Sequence, residues 1–161
     1  MSRKVAKSLR SFYLGKLFKI EKDRRDEAKV KYQLPITNFM FKQNKSAAPQ
    51  RDRDGLTSYI LLQQGDISTD NLAITWVDVA PGCSQRPHSH APEQVYVIIS
   101  GQGRMRVGDE ERDVVEGDLV YIPSNVVHSI VNLSNEVLRY ISASTPAFDL
   151  QALYDTGKLK N

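Results

Sequence analysis

The chain has 161 residues, 40% of them hydrophobic, and a formal net charge of +3. That length suits one domain with an appendage, and the composition lies well above a disordered one. The single cysteine, Cys83, excludes an internal disulfide framework, and no apolar run approaches the roughly 20 residues that span a bilayer as a helix.

The charge is unevenly spread. Residues 1–34 hold eleven Lys/Arg against four acids, a net of +7, while the remainder holds eleven against fifteen, a net of −4. The mildly acidic remainder argues against a nucleic-acid-binding barrel. A lone thiol fits a reducing compartment, so a cytoplasmic location is expected.

Residues 1–41 read as a basic, helical N-terminal extension. No proline interrupts them before Pro35, and Val5, Leu9, Phe12, Tyr13, Leu17 and Ile20 recur at roughly helical spacing. Leu14 and Phe18 fall off that stripe. The first twenty residues lack an acid and include Ser2, Ser8, Ser11, Arg3 and Arg10. That composition fits a mitochondrial presequence, a helix on an anionic membrane or partner surface, or a helix packed on its own barrel or on a dimer mate.

Residues 42–55 are polar, contain Pro49 and Gly55, and read as a linker. From Leu56 the pattern becomes β. Short apolar runs at 56–64, 71–79, 94–100, 103–107, 112–115, 118–123, 128–133 and 137–144 are separated by turn chemistry, including Gly108-Asp109. Many short strands at this spacing predict a jelly-roll barrel over 56–145, followed by a tail, 146–161. Val95, Val97 and Ile99 give one strand an apolar outer face, from which a homodimer is expected.

All three histidines fall in two spaced motifs. In 82–101, Gly82 is followed by five residues, His88, one residue, His90, three residues, Gln94, six residues and Gly101. In 117–132, Gly117 is followed by five residues, Pro123, one residue, Asn125, two residues, His128, three residues and Asn132. His88 and His90, two apart on a strand, share a face. A third histidine on a later strand completes one side of a coordination sphere, or the three rings fill polar core positions without an ion.

These stretches resemble the two signature motifs of the cupin superfamily over residues 56–145, matching at Gly82, His88, His90, Gly101, Gly117, Pro123, His128 and Asn132. Two positions depart from the family pattern. Asn125 occupies a glycine position, and asparagine tolerates the left-handed conformation better than most residues. Gln94 occupies a glutamate position. Its neighbour Glu93 has the wrong strand parity to replace it unless a bulge intervenes.

The resemblance implies an all-β barrel that holds a divalent transition metal (Fe, Mn, Zn, Ni or Cu) on His88, His90, His128 and Gln94. An all-neutral ligand set cancels none of the ion's charge and favours an anionic ligand. Dioxygenase chemistry on a small molecule follows if iron is bound. Metal-assisted isomerase or lyase chemistry and a non-catalytic ligand-binding module are the alternatives. Tyr96 shares the parity of Gln94 and is a candidate substrate contact. Arg86 is a candidate for a substrate carboxylate. Cys83 reads as a bystander thiol.

Overall fold

A computed structural model of the chain describes residues 40–68 and 71–148. The expectations for the helical extension and for most of the tail lie outside the described residues. After a 3-10 turn at Lys45–Ala47 come ten strands: β1 Gln50–Arg53, β2 Leu56–Leu62, β3 Ala73–Val79, β4 Ser84–His88, β5 Glu93–Ser100, β6 Gln102–Val107, β7 Glu110–Val115, β8 Leu119–Ile122, β9 His128–Val131 and β10 Leu138–Thr145. They form a six-stranded sheet, β1-β2-β3-β10-β5-β8, and a four-stranded sheet, β4-β9-β6-β7. Every pairing is antiparallel.

The expected jelly-roll barrel is thus present, but it begins earlier than the sequence pattern suggested. Residues read as a linker carry β1, which pairs with β2 through Gln50↔Tyr59 to Arg53↔Leu56. The reason is the Asp54-Gly55 dipeptide. Both residues take positive φ, 52° and 81°, as a two-residue type I′ hairpin requires. Lys45 fastens the preceding segment, with Nζ 2.7 Å from Asp78 Oδ2 and 4.4 Å from the Tyr59 ring centre.

Period-two burial builds the interior. Along β10 the inward residues are Leu138, Tyr140, Ser142 and Ser144. Opposite them on β3 stand Val79, Val77, Thr75 and Ala73. On the other side β5 sets Ile98 beside Tyr140, Tyr96 beside Ser142 and Gln94 beside Ser144. One end of the barrel is therefore apolar, joined there by Met105, Ile130 and Leu56. The other end becomes polar within two residues. Burial of apolar side chains stabilises the closed end. Polar groups at the open end must find partners or a ligand.

The motif residues at the closed end are structural. The Asn132 amide nitrogen donates to the carbonyls of Val79 (2.9 Å) and Glu136 (2.6 Å), and its oxygen accepts from the Ser134 backbone N–H at 2.9 Å. Gly101 has φ 81°, and a Cβ there would lie 2.9 Å from the Val137 carbonyl oxygen. Cys83 packs at the hairpin, where any Cβ on Gly55 would collide with its Sγ. That matches its reading as a bystander.

Candidate metal centre

Three elements deliver the histidines. His88 ends β4 and pairs directly across from His128, the first residue of β9. His90 does not share the strand, contrary to expectation. It lies in the loop before β5. The 123–126 turn holds that loop, because the Asn125 backbone N–H donates to the His90 carbonyl at 2.8 Å. Asn125 sits at φ 61°, the left-handed conformation that its place in the motif demands.

The rings converge. One nitrogen from each of the three lies within 4.8 Å of the others, and the ring centres are 4.2 to 5.8 Å apart. Each Nδ1 faces a backbone carbonyl: Arg86 for His88 (2.9 Å), Pro92 for His90 (2.8 Å) and Val126 for His128 (3.0 Å). A carbonyl only accepts, so each neutral ring carries its hydrogen on Nδ1. The lone pair is left on Nε2. This outer-shell pattern fixes the tautomer of metal-binding histidines.

Fit to an ion is tested by the polar atoms at the centre. His128 is fully buried, and its Nε2 has no partner. A buried acceptor without a partner is costly unless something fills the site. Burial and the two neighbouring rings push the His128 pKa down to about 4, and burial lowers that of His88. These rings are held neutral, the form that binds a metal.

Gln94 is buried beside the tripod. Its amide nitrogen donates to Ser142 Oγ at 2.6 Å, which turns Oε1 toward His90 Nε2, 3.1 Å away. Gln94 Oε1 and His90 Nε2 thus face each other as two lone-pair atoms, an arrangement that a cation between them would relieve. Glu93 points outward and accepts from the Tyr121 hydroxyl at 2.9 Å, so strand parity holds without a bulge there.

The cavity beside the histidines measures about 370 Å3 including its open mouth. Tyr96 lines it. Arg86 does not. Its side chain is 70% exposed and donates to Asp54 at 2.7 Å. The cause is a register shift in β4 between Gln85 and His88. The irregularity puts Gln85 in the cavity wall with His88, although their parities differ, and leaves Arg86 outside. Sequence reasoning therefore missed Gln85, which accepts from the hydroxyls of Tyr96 (2.8 Å) and Tyr140 (3.2 Å). It also missed Phe148, whose ring centre stands 5.7 Å from that of His90. Phe148 falls in the stretch that the sequence pattern assigns to the tail, 146–161.

Comparison with known proteins agrees with this architecture. Residues 75–144 match the family model described as a cupin domain, so this stretch of the barrel is a cupin domain. An uncharacterized protein of Methanocaldococcus jannaschii is 36% identical over 62 residues, 38% of this chain and 50% of its own length. The chain thus spans half of that relative. A predicted oxalate decarboxylase from Thermotoga maritima superimposes with TM-score 0.60 at 18% identity, covering 66% of this chain and 99% of the other. The polyketide cyclase RemF from Streptomyces resistomycificus gives TM-score 0.58 at 19% identity, over 74% and 94%. At these identities the two structures share the fold.

Proposed function

We propose that this cupin is a metal-dependent enzyme acting on a small anionic or chelating molecule, dioxygenase-like when the ion is iron. The observation that carries the proposal is the buried, unpartnered Nε2 of His128 facing two further imidazoles whose Nδ1 atoms are already engaged. His88, His90 and His128 would hold the ion, with Gln94 Oε1 as the fourth donor. A bound iron supplies one-electron chemistry with dioxygen, and a bound zinc or manganese supplies Lewis-acid polarisation of a substrate oxygen.

The chain's own residues support the rest. The ligand set is neutral, and the cavity wall holds no carboxylate and no lysine among the described residues. The ion's charge would stand uncancelled, which favours an anion in the remaining space. Lacking a strong general base, the cavity suits chemistry performed at the ion. A second reading, metal-assisted isomerase or lyase chemistry, is favoured by one observation. The phenols of Tyr96 and Tyr140 stack at 4.4 Å in the cavity and are groups able to carry a proton.

Oxygen uptake by the iron-loaded protein with diketones and thiols tests the proposal. Substrate-dependent uptake that disappears in His128→Ala is expected. Turnover without oxygen supports the second reading. An inert ion saturated by protein ligands, with no turnover, contradicts both and indicates a binding module.

A further inference from the structure

The two ends of the Gln85 amide in the cavity wall face different things. Its oxygen receives the hydroxyls of Tyr96 and Tyr140 at 2.8 and 3.2 Å. His88 settles which way round the amide lies: its Nδ1–H is spent on the Arg86 carbonyl, so its Nε2 offers a lone pair that only the NH2 end can meet. The nitrogen is then turned toward the histidines and stands 3.5 Å from His88 Nε2. The contact is long, at the outer limit of a hydrogen bond.

Among the described residues, the acceptor it meets there is a lone pair that an ion would take. His88 already spends Nδ1 on the Arg86 carbonyl, so Nε2 is the nitrogen left for a metal. Once that lone pair is engaged, the Gln85 N–H needs another acceptor. A partly buried amide donor left without one is costly. Among the described residues no carboxylate lines the wall to serve. The requirement is met by an oxygen of whatever enters the cavity beside the ion.

We infer that Gln85 is a specificity-determining residue whose amide N–H donates to an anionic oxygen, as in a small carboxylate or an enolate, held next to the metal. The two tyrosines hold its oxygen end in place. The inference rests on the metal reading above and deepens it by naming the ligand class and the residue that recognises it. The register shift in β4 serves this arrangement, since regular pleating would put Gln85 on the outside.

The test uses the full chain loaded with cobalt(II), with acetate as probe and the visible ligand-field bands as readout. Wild type is expected to take up cobalt and to change its bands as acetate saturates. Gln85→Met removes the donor, and Gln85→Glu keeps an acceptor for both hydroxyls but replaces the donor with a negative charge. Both variants should retain cobalt. Both should bind acetate about tenfold or more weakly, the effect of losing a hydrogen bond to a charged group. Cobalt bands with wild-type acetate affinity in both variants overturn the role of Gln85 and leave the metal centre standing. Absence of cobalt bands in wild type overturns the metal centre and this inference with it.

Discussion

At the scale of single residues, the centre is built by hydrogen bonds that aim lone pairs. Three carbonyls set three imidazole tautomers, and Ser142 anchors the Gln94 amide. The cost is carried by His128, whose pKa is pushed from 6.5 to about 4 by burial first and by the neighbouring rings second. The unfolded chain therefore binds a proton that the folded chain resists. Without metal, this contribution to stability is fully present above about pH 6.5 and is lost as pH falls toward 4. Denaturant midpoints of the metal-stripped protein should report a loss of about 2 kcal/mol between pH 7.5 and pH 5 from this group. A flat profile over that range would contradict the buried, neutral assignment. Metal affinity should weaken over the same interval, because protons compete for the nitrogens.

At the scale of elements, the motif spacings were legible because they encode where the strands end. Glycines close the turns, and Asn132 ties the segment after β9 to the end of β3. Removing that amide in Asn132→Ala leaves the Val79 carbonyl without this donor. Chemical denaturation should show a loss of about 1–3 kcal/mol with the metal ligands untouched. Val126 and Asn125 position His128 and His90 through the backbone alone, and the left-handed Asn125 could be foreseen from its place in the motif. The irregularity in β4 could not. Nothing in Ser84–His88 marks an extra residue, so the sequence pointed to Arg86 and gave no signal for Gln85. β1 was hidden for a different reason. Its residues, Gln50–Arg53, are all polar, and it lies at the sheet edge, where no apolar alternation is required. Only the Asp54-Gly55 turn signalled it.

At the scale of the molecule, the six-stranded sheet presents an apolar outer face. Val95 pairs with Tyr121 and Val97 with Leu119, and Ile99 adds to the same side of β5. Leu119 is 62% exposed and Tyr121 51%. Apolar side chains gathered on one sheet face mark an interaction surface, and we propose that a second copy of the chain covers this one. Light scattering at micromolar concentration should give a dimer mass for wild type and a monomer mass for Leu119→Glu. A wild-type monomer would contradict the pairing without touching the metal site.

The barrel's interior gradient, apolar at Leu138 and Val79 and polar at Ser142 and Thr75, is what makes a buried tripod of imidazoles affordable at one end. We propose that its purpose is to hold an ion. Elemental analysis of the protein as purified, beside His128→Ala checked for folding by circular dichroism, tests this most directly. The account predicts near-stoichiometric transition metal in wild type and its loss from a variant that remains folded. Equal metal content in the two proteins would contradict it.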